Sequence, residues 1–296
     1  MILVTGATGF VGRQAVHALR ARGLPVRSLA RRPERASALR SSGCEVVQGD
    51  MTDADSLRRA TEGVDAIVHL VSIITGRPAD FERIMIQGTR DLVAAAESAS
   101  VRRLVLVSAL GTSERTRELV PYYGAKWEME QAVQGSPIEH VIFRPSFVFG
   151  RGGVLPTFLR QVRWSPVTTV IGPGTQRLQP IWVEDVAAHL AAAVDEPAAA
   201  DRTFDLVGPE AVTWDELYAR IKAVLGKRRV TVHLPFGLVR IGAALTERLP
   251  GAPLTRDQLT MLADGDNVGD PSPVRKTFGL ELVGLDEQIR RADRGA

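Results

Sequence analysis

In the first half of the chain, short apolar runs alternate with stretches whose apolar residues recur every three or four positions. The runs at Ile2–Thr5, Val26–Ala30, Glu45–Gln48, Ala66–Leu70, Leu104–Val107 and His140–Phe143 have strand length. Helical spacing covers Val11–Ala21, Arg35–Leu39, Asp55–Thr61, Asp80–Ser98 and Ala125–Val133. Strands that are apolar on both faces, each followed by a helix, predict a parallel sheet covered on both sides. Right-handed crossovers then make this an α/β fold with a doubly wound parallel sheet, a Rossmann fold. Its ligand crevice lies at the carboxyl ends of the strands.

The pattern changes after Arg144-Pro145, where Gly and Pro become frequent through Gly150–Pro180. A helix over Val183–Val194 and a strand over Thr203–Val207 read as a return to the sheet. Helical patterns at Trp214–Leu225, Phe236–Leu245 and Thr255–Ala263 then indicate a smaller, mainly helical lobe. Residues 1–146, with 182–207 returning to them, are expected to form a dinucleotide-binding domain. Residues 147–181 and 208–296 are expected to form a substrate lobe.

At 296 residues and 45% apolar side chains, the chain is long enough for one large α/β unit or two modest lobes with a real core. The net charge of +3 is small for that length, and no basic block interleaved with aromatics points to nucleic acid. One cysteine, Cys44, excludes an internal disulfide framework and fits a reducing compartment, so the cytoplasm is the expected location. No apolar run reaches the roughly 18 residues of a membrane span. With a glycine loop beginning at Gly6, no signal peptide is expected.

That loop carries the strongest chemical signal. Thr5-Gly6-Ala7-Thr8-Gly9-Phe10-Val11-Gly12 places three glycines three apart between the first strand and the first helix. One glycine permits the sharp turn, one lets the backbone approach a pyrophosphate, and one lets the helix pack on the strand. The N–H groups of the helix start then face the anion. After the second strand, where an acidic residue would bind a 2′-hydroxyl, the chain has Ala30-Arg31-Arg32-Pro33. Guanidinium groups there suit a 2′-phosphate, so NADP(H) is expected over NAD(H). Leu70-Val71-Ser72, ending the fourth strand, should line the adenine-ribose side. Tyr122 and Lys126 stand four apart, on one face of a helix. His17, His69, His140, His189 and His233 are scattered, and no metal site emerges.

The loop TGATGFVG, with Tyr122-Tyr123-Gly124-Ala125-Lys126, resembles the short-chain dehydrogenase/reductase superfamily in its extended or atypical branches. Several further segments point to one branch: Val68–Ser72, Gly88–Val93, Val101–Val105, Ser108–Gly111 and Gln179–Val186. They are similar to the atypical branch that includes the NADPH-carrying accessory subunit of respiratory complex I and free-standing bacterial relatives. The resemblance implies that Asp50 and Met51 meet the adenine amino group, although Asp50 also reads as the cap of a short turn. It implies a catalytic pair in which the Lys126 ammonium and the nicotinamide charge lower the pKa of Tyr122, whose phenol exchanges a proton with the substrate. It places the loop Arg144-Pro145-Ser146-Phe147-Val148-Phe149-Gly150, with Pro145 and Val148, against the nicotinamide amide. The superfamily's catalytic Ser or Thr falls at Ala109, with Ser108 one residue early, and its asparagine position holds Met85, which cannot relay protons.

These features lead to one expectation with two alternatives. The first is an NADP(H)-dependent oxidoreductase moving hydride between nicotinamide and a small apolar carbonyl or alcohol, with Ser108, Tyr122 and Lys126 as catalytic candidates. The alternatives are a non-catalytic NADPH-binding protein of a respiratory or assembly complex and a sugar-nucleotide epimerase or dehydratase. A homodimer or larger complex is a further expectation. Phe147, Phe149, Leu155, Phe158, Trp164 and Trp182 are expected to line the substrate site. The apolar segment Pro235–Leu245 reads as core packing, as a cap over an apolar substrate, or as a peripheral membrane contact.

Overall fold

Seven short strands pair side by side, the inner five bonded along both edges and the outer two along one. They are β1 (Ile2–Thr5), β2 (Val26–Ala30), β3 (Glu45–Gln48), β4 (Ala66–His69), β5 (Arg103–Val107), β6 (Glu139–Pro145) and β7 (Arg202–Leu206). All are parallel, in the order β3-β2-β1-β4-β5-β6-β7. The order reverses between β1 and β4, which opens a crevice at their carboxyl ends. The computed structural model describes residues 1–246 and 254–294, and among them no helix is long and apolar enough to cross a membrane.

The chain forms two units. The first comprises Met1–Pro145, Val183–Leu206 and Pro271–Glu281, and contains the whole sheet. Helices α1 (Phe10–Ala21), α2 (Ser37–Ser41), α3 (Ala54–Thr61), α4 (Pro78–Phe81), α5 (Gly88–Ser98), α6 (Pro121–Gln134), α7 (Val183–Ala193) and α8 (Ser272–Phe278) belong to it. Helix α1 packs beside α7, while α5 packs against both α3 and α6. Leu3, Ile67, Leu104, Leu106 and Ile142 from the strands meet Leu57, Leu92 and Met129 from these last three helices in one core. Each such side chain contributes roughly 1.5–3 kcal/mol by leaving water. Cys44 is buried against the Ser28 hydroxyl, in a packing position.

Several element boundaries differ from the expectation. The helix expected over Asp80–Ser98 runs continuously from Pro78 to Ser98, but it contains a π-helical turn at Glu82–Gln87 between α4 and α5. At this turn the Thr89 hydroxyl donates to the Met85 carbonyl, and Gly88 presses on the backbone of Met51, where a Cβ would lie 2.8 Å from the Met51 carbonyl oxygen. Helix α6 starts at Pro121, earlier than the expected Ala125, because proline suits the first helical position. Tyr122 therefore lies in its first turn. Residues 271–281, expected in the smaller lobe, cluster with the sheet. The reason is aromatic: Phe278 packs on Phe143, Phe204 and His189 at centroid distances of 5.7, 5.5 and 5.5 Å.

The second unit comprises Ser146–Trp182, Val207–Asp270 and Leu282–Ala296. Helices Leu155–Trp164, Trp214–Val224 and Leu285–Asp293 enclose its core, and strands Val167–Ile171 and Val230–Leu234 pair in parallel. The expected substrate lining is corrected here. Phe149, Leu155 and Trp182 are fully buried core, Phe147 and Phe158 pack edge-on against Trp214, and Trp164 faces solvent. Buried Gln179 holds this unit's loops: its amide donates to the Gly208 carbonyl at 2.8 Å and accepts from the Gly269 N–H at 3.2 Å. Glycine is required at 208, since a Cβ there would lie 1.9 Å from the Pro180 carbonyl oxygen.

One buried ion pair ties β6 to α6. Arg144 Nε and Nη2 donate to the two carboxylate oxygens of Glu130 at 2.9 and 2.6 Å, and Glu130 is wholly buried. Arg144→Ala leaves that carboxylate unpaired, and it should cost about 3 kcal/mol in urea unfolding. The double variant Glu130→Leu/Arg144→Leu should recover more than half of the loss. A cost for Arg144→Ala within the small range of a surface substitution contradicts this account.

Candidate functional site

The crevice is built where β1 and β4 end side by side. Gly6 has φ +74°, and a Cβ there would lie 3.0 Å from the Leu70 carbonyl carbon and 3.1 Å from the Val71 nitrogen. At Gly12 a Cβ would lie 2.2 Å from the Gly6 carbonyl oxygen, so only glycine lets α1 sit this close to the turn. Gly9 caps α1 without a side-chain bond, and the first turn has no acidic residue. The unpaired N–H groups of Phe10, Val11 and Gly12 thus face the crevice end with no internal anion to satisfy them. This cradle fits a dinucleotide pyrophosphate in both shape and charge. Exposed Thr8 accepts from Arg13 Nε at 3.0 Å through its carbonyl, which sets a guanidinium at the loop that sequence reasoning did not single out.

Arg31 and Arg32 follow β2, both exposed, and neither guanidinium makes an ion pair or hydrogen bond among the described residues. Asp50 follows β3. Its Oδ1 accepts from both the Thr52 N–H and the Thr52 hydroxyl at 2.9 Å, so one oxygen caps its own turn. Met51 is buried in the core, with its side chain turned away from solvent. Leu70 and Val71 are half-buried, and the Leu70 N–H donates to the Thr5 carbonyl at 3.2 Å. Pro145 ends β6 and accepts from the Leu110 N–H at 2.9 Å. Val148 belongs to the second unit, where it pairs with Ile181.

Tyr122, Lys126 and Glu130 form one stripe along α6, a turn apart. Lys126 is buried, its Nζ lies 5.9 Å from the Tyr122 ring centroid, and it donates to the Val107 carbonyl at 2.8 Å. Burial pulls its pKa down to about 7, with Glu130 acting against the fall. Tyr122 goes the other way. Enclosure by protein pushes its phenol up to about 12, Tyr123 adds to the rise, and the Ser72 side chain opposes it. The lowering implied by the resemblance needs the nicotinamide charge as well as Lys126; the protein groups by themselves raise the phenol, burial first. Ser108 is buried, with its hydroxyl donating to Thr112 Oγ1 at 3.4 Å. Met85 is fully buried, and its sulfur accepts from the Ile73 N–H at 3.5 Å, a packing and loop-holding role.

His69, the last residue of β4, lies under this site. Its Nδ1 is 2.6 Å from the Thr5 hydroxyl and its Nε2 is 3.0 Å from that of Thr89. Thr89 spends its proton on the Met85 carbonyl, so it accepts from Nε2–H, and Thr5 donates to Nδ1. Burial first, and the Lys126 charge second, push the imidazole down to about 3, so it stays neutral. Two signals for this network were present in the sequence: a threonine and a histidine that end adjacent apolar strands. Glu130 was equally visible as the next step of the four-residue spacing.

The model of an NAD(P)H-binding family matches residues 6–197. The chain is 32% identical over 246 residues to a ceramide reductase of Caulobacter vibrioides, covering 82% of this chain and 76% of that protein. It is 37% identical over 235 residues to a (4-alkanoyl-5-oxo-2,5-dihydrofuran-3-yl)methyl phosphate reductase of Streptomyces griseus, covering 77% and 74%. It is 26% identical over 304 residues to subunit 9 of the NADH dehydrogenase (ubiquinone) 1 alpha subcomplex of Rattus norvegicus, covering 97% and 79%. The NADPH-dependent quinone oxidoreductase QOR2 of Escherichia coli, solved with NADPH, has the same fold, with a TM-score of 0.80 at 23% identity over 98% of this chain and 99% of that one. The chain belongs to the NAD(P)H-binding family, within the atypical short-chain dehydrogenase/reductase superfamily. It is a nicotinamide-dependent oxidoreductase by class.

The buried amine has a measurable signature. Between about pH 7 and the ordinary lysine pKa of 10.5, the unfolded chain holds a proton at Lys126 that the folded chain has released. The unfolded state binds more protons in that window, so this residue makes stability rise with pH there. Urea midpoints at the two ends of the window should show a slope that Lys126→Met reduces. An unchanged slope in the variant contradicts the lowered pKa.

Proposed function

We propose that this protein is an NADP(H)-dependent reductase of a largely apolar carbonyl compound. The observation that carries the reading is the Tyr122–Lys126 stripe, with a phenol raised to about 12 above a buried ammonium. A phenol of that pKa is protonated at neutral pH, which suits donation to a carbonyl oxygen as negative charge develops on it. Gly6, Gly9 and Gly12, with the N–H groups of Phe10 and Val11, would hold the pyrophosphate, and Arg31 and Arg32 the 2′-phosphate. Asp50 keeps one carboxylate oxygen outside its own turn for the adenine amino group. Bound nicotinamide supplies the hydride. Lys126, anchored on Val107, holds the ribose side and its charge next to Tyr122. Ser108 acts through the loop it shares with Thr112. The two reductase relatives support an alkyl-chain substrate, since a ceramide and an alkanoyl compound both carry alkyl chains, the second together with a phosphate.

A second reading, a protein that holds NADPH without turnover, is favoured by buried Met85 and Ala109 at two positions that are polar in extended relatives. Both readings share the cofactor and differ in turnover.

NADPH oxidation over a panel of long-chain ketones and quinones separates them. Tyr122→Phe should lower kcat about a hundredfold or more while NADPH binding is retained. No turnover on the whole panel, with cofactor retained through purification, supports the second reading instead. Arg31→Ala should weaken NADPH about tenfold and leave NADH nearly unchanged. Tighter binding of NADH than NADPH by the unaltered protein refutes the cofactor preference.

A further inference from the structure

Five of the seven large apolar side chains that stand exposed among the described residues lie in three neighbouring elements of the second unit. They are Trp164 at 77% exposure, Val230 at 69%, Val232, Leu238 and Ile241. Trp164 ends the helix Leu155–Trp164, and Arg229 donates from Nε and Nη2 to the carbonyls of Val162 and Arg163 in that helix's last turn, both at 3.3 Å. Val230, the next residue, pairs with Val167 just past Trp164. Val230 and Val232 are two apart, on one face of their strand.

The helix Phe236–Thr246 continues directly from that strand. Its inward residues are Phe236, which packs against Gly172, half-buried Val239 and buried Ala243, spaced for one helical face. Leu238 and Ile241, three apart, make a second apolar face turned to solvent, flanked by Gly237 and Gly242, where an added Cβ would meet nothing. A helix apolar on both sides has a second surface still to cover. Core packing, expected for this segment from sequence, accounts for only one of its faces.

The charge of this region says what covers it. From Gly226 to Thr246 the chain carries Lys227, Arg228, Arg229, His233 and Arg240 and no acidic residue. Lys227, Arg228 and Arg240 are exposed. The helix Arg256–Ala263, which packs on Phe236–Thr246, carries Arg256 and Asp257, whose charges offset each other, and Asp215 is paired with His233 at 2.8 Å. The surface therefore presents a tryptophan and aliphatic side chains along a stretch of chain with an excess of cations. Two copies meeting through it would bring like charges together as water left. An anionic lipid surface instead takes the apolar side chains among its acyl chains and the cations at its headgroups.

We infer that the face formed by Trp164, the strand Val230–Leu234 and the helix Phe236–Thr246 docks on an anionic lipid bilayer. The contact is peripheral, and it brings the protein to the phase in which an apolar carbonyl substrate dissolves. It does not depend on turnover, so its test stands apart from that of the reductase reading.

The test is sedimentation of the full chain with equimolar phosphatidylglycerol–phosphatidylcholine vesicles, beside pure phosphatidylcholine vesicles. Binding to the anionic vesicles, a blue shift of tryptophan emission, and weakening by added salt are expected. Leu238→Ser/Ile241→Ser and Lys227→Glu/Arg228→Glu should each reduce binding about tenfold, with unchanged circular dichroism. Trp164→Phe should remove the blue shift. Equal binding to both vesicle types, no binding at low salt, or binding unaffected by both double variants overturns the inference. A concentration-dependent oligomer that the Leu238/Ile241 variant dissolves also overturns it, since the face would then be covered by a second copy.

Discussion

The structure of the first unit depends on one close approach, that of Gly12 to the carbonyl of Gly6. Helix α1 reaches its place over the sheet only because nothing projects from position 12. That placement sets the unpaired N–H groups of the first turn at the crevice, and it draws the Gly6 turn against the backbone of Leu70 and Val71 at the end of β4. The anion cradle follows from that contact, while the pairing of β1 with β4 sets His69 beside Thr5. Backbone packed this tightly has no softer alternative, because protein interiors accommodate even one added carbon poorly.

Beneath the crevice, the polar groups are arranged so that burial does not leave them unpaired. His69 is held neutral between two threonines, and Thr89 passes the chain of bonds on to the Met85 carbonyl in the π-helical turn. Lys126 has Val107 as its acceptor, and Glu130 has Arg144. The low pKa of Lys126 and the high pKa of Tyr122 share one cause, enclosure in a medium that disfavours charge on either group. Residue spacing alone could not show this, because it puts the two side chains on one face without fixing what surrounds them.

Much of the first unit was legible in the chain. Strands buried on both faces write themselves as unbroken apolar runs, and the glycine spacing is a backbone requirement that no other residue meets. Sheet class, strand positions and the place of the nucleotide loop were therefore readable. The spacing of Tyr122 and Lys126 was readable too, since four residues on a helix always share a face. The smaller unit was far less so. Its aromatics, Phe147, Phe149, Phe158 and Trp182, looked like a substrate lining, because an apolar side chain facing a ligand and one facing another helix are the same letter in the sequence.

What the sequence by itself determined is local: which segments become strand or helix, where only glycine fits, and which cations follow the second strand. These depend on backbone sterics and on periodicity, both properties of neighbouring residues. What only the tertiary structure decided is the environment of each group. It set the pKa of Tyr122 and Lys126, the pairing of Glu130 with Arg144 and the tautomer of His69. It also left Trp164 and Leu238 in solvent while Trp182 and Phe149 are buried. Those outcomes depend on residues far apart in the chain, whose desolvation and partners are defined only once the elements pack.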